Sequence, residues 1–186
     1  LIVLRRTILA RQWLNDEITA GMLALSEGKF VQAKEKFLLL TEMYPDSAAL
    51  KWSYASAAYY DNLVSDKEAG IKAYTESIDL NSHRPELDDE QVKLALKTVA
   101  VFYLEPDRPF HDAYPYLKKW SELFSDEADP WYHLAQYYVK MQEFKSGIEN
   151  LTIALRRNPE LKFQASTDPI FKPLQELAEF KILLEK

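Results

Sequence analysis

Apolar positions along this chain recur at helical spacing, and they recur as a repeated set. Phe30, Ala33, Phe37, Leu40 and Pro45 follow one another at steps of 3, 4, 3 and 5. Phe144, Gly147, Leu151, Ala154 and Pro159 keep the same steps, as do Phe110, Ala113, Leu117, Trp120 and Ser125. Lys67, Gly70, Tyr74, Ser77 and Ser82 form a looser version. Steps of three and four put side chains on one face of a helix. The small residue in the second slot lets a neighbouring helix approach, and the larger one a turn later fills the space behind it. A closing proline ends the helix because it has no N–H to continue it.

A second helical pattern precedes each set. Trp131, Leu134, Ala135 and Tyr138 precede the last, and Trp52, Ala55, Ser56 and Tyr59 precede the loose one. Leu96, Val99, Ala100 and Tyr103 precede the third. Glu17, Ala20, Gly21 and Ala24 precede the first, with Glu17 where an apolar anchor is expected. The predicted unit is therefore a pair of helices, occurring four times.

The period is uneven: 37 residues from Pro45 to Ser82, 43 from Ser82 to Ser125 and 34 from Ser125 to Pro159. Insertions are expected at Ser82–Glu90 and Asn62–Ser65. Asp129-Pro130 and Asp168-Pro169 read as N-caps followed by Pro at the first helical position. Ser65 with Glu68 reads as a capping box. Pro115 is tolerable only if its helix starts near Asp112, which puts it in the first turn. Leu1, Leu4, Ile8 and Gln12 are expected on one face of an N-terminal helix over 1–14. Asp168, Phe171, Leu174, Phe180 and Leu183 form an apolar pattern in a closing segment over 161–186.

The large–Leu–small–Tyr face, the Gly or polar turn, and the aromatic–small–aromatic face ending in Pro together resemble the tetratricopeptide repeat. Residues 131–159 carry the closest match. The tail D-P-I-F-K-P-L…E-F-K-I-L-L is similar to the closing segment of bacterial proteins of that type. The resemblance implies an all-α fold: a single domain over 1–186, an α-α superhelix or solenoid of about four helix-turn-helix units over 14–160. Capping helices are expected at both ends, since a solenoid exposes apolar surface there.

Composition narrows the function. The net charge of −6 argues against a nucleic-acid binder, which needs a basic footprint; Arg5-Arg6 and Arg156-Arg157 are pairs and not a stripe. With no Cys there is no disulfide, thiolate metal site or Cys nucleophile. That leaves the compartment open, with the cytoplasm preferred over the periplasm or a membrane-anchored state. The four glycines all fall in small or turn slots, so none is left for a phosphate-binding loop. His83, His111 and His133 lack a second ligand at metal spacing. The acidic run Asp88-Asp89-Glu90 suits a helix start. No catalytic residue, cofactor or metal is expected, and the chain does not read as an enzyme.

The resemblance implies a concave groove lined by the first helix of each pair. Asn15, Ile18, Met22 and Leu25 would line it in the first unit, then Ser53, Ala57, Tyr60 and Asp61. Lys97, Thr98, Val101 and Leu104 follow, then Tyr132, His133, Gln136 and Lys140. Of these, Met22, Leu25, Tyr60, Lys97, Tyr132, His133, Gln136 and Lys140 are the candidate contacts for a protein or peptide partner. Ile18, Met22, Ser53 and Ala57 stand where some relatives carry a Lys/Asn clamp for a terminal carboxylate. Lys97 alone cannot make that clamp. The expected role is a scaffold that takes up a partner's peptide or helix. The alternative is the soluble part of a membrane-anchored assembly factor, suggested by Leu1–Leu4 before Arg5-Arg6. Any membrane contact would come only from an apolar segment upstream of Leu1, because no run here approaches the ~20 apolar residues of a span.

Overall fold

The computed structural model describes residues 2–61 and 63–185, and for 2–7, 64 and 65 the backbone alone. Among these residues the fold is all-helical, with no strand. The elements are α1 (Ile2–Ser26), α2 (Phe30–Met43), α3 (Ala48–Tyr60), α4 (Val64–His83), α5 (Asp89–Leu104), α6 (Tyr114–Leu123), α7 (Asp129–Lys140), α8 (Phe144–Arg157), α9 (Leu161–Thr167) and α10 (Ala178–Glu185). Short 3-10 helices cover Phe110–Ala113 and Pro169–Leu174. The chain divides into two compact units, 1–95 and 96–186, with the division inside α5.

The second, third and fourth slots of each repeated set build the core of both units. Ala33, Phe37 and Leu40 are buried, as are Gly70, Tyr74 and Ser77, Ala113, Leu117 and Trp120, and Gly147, Leu151 and Ala154. In the first unit, Ala24 from α1, Phe37 and Leu40 from α2, and Leu50 and Ala57 from α3 form one apolar cluster. The turn between α1 and α2 uses Gly28 at φ 71°, a left-handed conformation that costs glycine no Cβ clash. Where an apolar anchor was expected on α1, Glu17 pairs with Lys36 of α2 at 2.7 Å. Gly70 sets the distance between α3 and α4: a Cβ there would lie 2.7 Å from the backbone N of Tyr59. The buried Tyr74 hydroxyl shares a 2.9 Å hydrogen bond with Ser56 Oγ. Lys34 Nζ donates to both Asp61 and Asp66, tying α2 to each side of the turn before α4. Burial would lower the Lys34 pKa, but the two carboxylates outweigh it and raise it.

In the second unit, Tyr132, Ala135 and Val139 of α7 pack on Leu151, Ala154 and Leu155 of α8. Phe171, Leu174 and Phe180 of the tail complete that cluster, all essentially buried. Pro115 falls in the first turn of α6, after the 3-10 turn, as its missing N–H demands.

Four local expectations are corrected. The N-terminal helix and the first helix of the first pair are one helix, α1, because no Gly or Pro breaks the sequence near residue 14. Residues 8–13 of α1, including Ile8 and Gln12, are exposed, so they cover no core. A helix of 25 residues outruns the 14-residue α2 beside it, ~37 Å against ~21 Å. Leu1 and the side chain of Leu4 lie outside the described residues. Ser65 does not cap α4: Leu63 holds that position and Ser65 is already helical, its side chain outside the described residues, as is Asn62 of the expected insertion. Asp129 is the first residue of α7 and not its cap, which is Ala128; its carboxylate goes instead to Lys97. At Asp168 the cap is present, its side chain accepting from Ile170 N.

Candidate functional site

The first unit contains an open apolar trough of about 500 Å3. Leu14 and Ile18 of α1 form one wall, and Leu50 and Ser53 of α3 form the floor. Tyr44 and Pro45, where α2 stops, line it together with Arg84 and Glu86. This rim is held by hydrogen bonds. Glu86 accepts from Ser47 Oγ at 2.9 Å and from Ala49 N at 3.2 Å. Asn81 Oδ1 accepts from Glu86 N and Leu87 N at 2.7 and 2.8 Å. Ser47 also caps α3, accepting from Leu50 N. Ser53 satisfies its own hydroxyl on Ala49 O, so the floor presents no unpaired donor. An apolar hollow with fixed polar groups at one rim is suited to receiving an apolar side chain.

The sequence-expected groove residues do not share one environment. Met22 is open at 44% exposure and touches Ser53, its Sδ 4.0 Å from Oγ. Tyr60 is also exposed, its ring against Phe30 and Tyr59 at 6.0 and 5.4 Å. Leu25 is half-buried on the apolar cluster below. Ala57, Thr98 and Leu104 are buried in the core and line no groove, because these helices pack on more than one face. Asp61 is taken by Lys34.

In the second unit the equivalent positions are occupied by the chain itself. Tyr132 Oη donates to Asp168 Oδ2 at 2.9 Å, and Gln136 Nε2 donates to the same oxygen at 2.7 Å. Asp168 Oδ1 accepts from Ile170 N at 2.9 Å. Tyr132 and Gln136 are buried and so are not open to a partner in this arrangement. His133 Nδ1 lies 2.7 Å from Gln136 Oε1, and with Gln136 Nε2 already donating, the histidine nitrogen is the donor. The imidazole stacks on Trp120 at 5.6 Å. Burial pushes the His133 pKa below its usual value, against the opposing pull of Gln136, Asp129 and Asp168. Tyr132 is pushed up, first by burial and then by the Asp168 charge. Lys97 pairs with Asp129 at 2.7 Å over the Trp120 ring. Lys140 donates to Leu104 O at 2.6 Å, and so ties α7 to the end of α5.

Sequence reasoning missed Tyr44, Arg84 and Glu86 as trough residues because they lie outside the first helix of each pair. Asp168 was visible as a cap, but its pairing with Tyr132 spans 36 residues and leaves no local pattern. Among the described residues no group of three His, Asp or Glu side chains converges as a metal site would require. No described helix is long and apolar enough to cross a membrane. These features define an all-helical protein with an open apolar trough in one unit and a self-occupied face in the other. Compared with known proteins, the chain matches no family model, and no curated protein matches it.

Proposed function

We propose that this chain is a non-catalytic protein-binding scaffold of the tetratricopeptide type. In this reading its helix pairs stack as a solenoid and α1 and α3 hold a partner's peptide or helix. The observation that carries the proposal is the open trough at Ile18, Leu50 and Ser53, with Met22 exposed beside it. One or two apolar anchors of a partner segment would fill it, and the ordered Ser47–Glu86 rim would set their register. Peptides selected from a random display library against the whole protein test this. Binders with apolar anchors should weaken at least 10-fold in Ile18→Asp, whose fold is checked by circular dichroism. Selected binders indifferent to that change overturn the proposal.

A second reading is the soluble part of a membrane-anchored assembly factor. Ile8, Leu9 and Trp13 are exposed on α1, a residue or more after Arg5-Arg6. Co-flotation with anionic vesicles, lost in Ile8→Asp/Leu9→Asp, would favour it; no flotation would exclude direct lipid contact through this stretch.

A further inference from the structure

The second unit carries a trough of its own, unrelated to the one at Ile18. It measures about 570 Å3 and lies between α8 and α10. Its floor is apolar: Ile148 and Leu155 on one side, Ile182 and Leu183 on the other. Arg156 and Lys162 stand at its edge. Neither side chain has an ion pair or hydrogen bond among the described residues. Neighbouring Arg157 differs, lying 3.9 Å from Asp126 and over the Trp131 ring. Arg156 also borders a second hollow of about 350 Å3 beside Trp131 and Ile153, so one free guanidinium serves two adjoining depressions.

The charge here runs against the chain as a whole. Residues 156–162 hold three cations, Arg156, Arg157 and Lys162, and one acid, Glu160, in a protein of net charge −6. Phe163, next to Lys162, is 79% exposed, and Ile182 is half exposed. Apolar side chains left in water beside unpaired cations form a surface with two requirements: something to cover the carbon and something to neutralise the charge. Glu179, the one carboxylate on the trough wall, makes no ion pair with either cation among the described residues.

We propose that this face is a second docking site, for an extended peptide carrying an aliphatic or aromatic anchor flanked by carboxylates. The anchor sits between Leu155 and Ile182, and the carboxylates meet Arg156 and Lys162. Nucleic acid is disfavoured, since two free cations over an apolar floor do not track a phosphate backbone. The site does not depend on the proposal for Ile18.

Peptides are selected from a random 12-residue display library against the whole protein and then mapped by NMR on isoleucine methyls. A pool of acidic, apolar-anchored peptides should appear and shift Ile148 and Ile182 but not Ile18. In Arg156→Glu/Lys162→Glu, both changes at the rim of the trough, affinity for that pool should fall at least 10-fold, and it should be unchanged in Ile18→Asp. Raising the salt from 50 to 300 mM should weaken binding in the wild type only. The proposal is overturned if no selected peptide shifts Ile148 or Ile182, if the pool that does so lacks acids, or if charge reversal leaves its affinity intact. Peptides that shift Ile18 alone support the other trough and sink this one.

Discussion

Replacing Asp168 with Ala tests what holds the tail in place. The carboxylate accepts from Tyr132, Gln136 and Ile170, so its removal strikes three donors at once. Losing the cap at Ile170 costs about 1 kcal/mol. Leaving the buried Tyr132 hydroxyl unpaired costs about 1–3 kcal/mol. Members of one network do not add simply, so the expected total is about 3 kcal/mol. Opposing release are Phe171, Leu174 and Phe180, all essentially buried. At about 1.5–3 kcal/mol each, they contribute about 6 kcal/mol to docking. Apolar burial therefore exceeds the polar pin, and the tail of Asp168→Ala should stay docked on a weakened protein. Hydrogen exchange read by mass spectrometry decides this. Protection over 168–183 and over α7 should fall together by about 100-fold, the equivalent of ~3 kcal/mol, yet stay above that of an unfolded chain. Phe171→Ala, which opens a core cavity, should cost as much or more, about 3–5 kcal/mol. Asp168→Asn keeps one oxygen, enough for the cap at Ile170 or for Tyr132 and Gln136 but not for both, and should cost about 1–3 kcal/mol. If Asp168→Ala strips protection from 168–183 and leaves α7 and α8 untouched, the pin and not the apolar contact docks the tail. A loss under about 0.5 kcal/mol would mean the network adds little.

Two further outcomes follow from the packing and the half-buried imidazole of His133. Gly70→Ala gains about 1 kcal/mol of helix propensity, but its Cβ would meet the Tyr59 backbone at 2.7 Å. Backbone cannot rotate aside, so the net effect should be a loss of about 1–3 kcal/mol and a lower melting temperature; a neutral or stabilised variant refutes the close-approach argument. His133 has a folded pKa below the usual 6.5, so on acidification the unfolded chain takes up its proton first. Stability should therefore fall as pH drops from about 6.5 towards the folded pKa. His133→Gln should show a smaller drop in urea midpoint between pH 7.5 and 5.5, and equal drops would exclude His133 as the titrating group.

Features encoded locally were legible in the sequence. The 3-4-3 steps placed Phe37, Tyr74, Trp120 and Leu151 in the core because helix faces are set by neighbours three and four residues away. Pro115 and the Asp168 cap were legible for the same reason. What the sequence hid depends on distance. Nothing near Tyr132 announces that its hydroxyl belongs to Asp168, and nothing near Ile18 announces Glu86. Ser65 departs from its capping-box pattern because α4 starts at Val64, a residue before it. A cap motif states a preference, and tertiary packing chooses the boundary. Tyr132 and Gln136 are open groove positions by the repeat pattern, whereas in the second unit they are covered by Asp168, in a segment that periodicity labels only as apolar.

The Tyr132–Asp168 bond also imposes an order in time. A ribosome adding ~5–20 residues per second needs about 2–7 s to make the 36 residues between them. Throughout that interval the nascent α7 has a tyrosine hydroxyl and a glutamine amide without their acceptor, and an apolar side awaiting Phe171 and Phe180. The last helix pair is thus a stretch of new chain that stays uncovered for seconds after it is made.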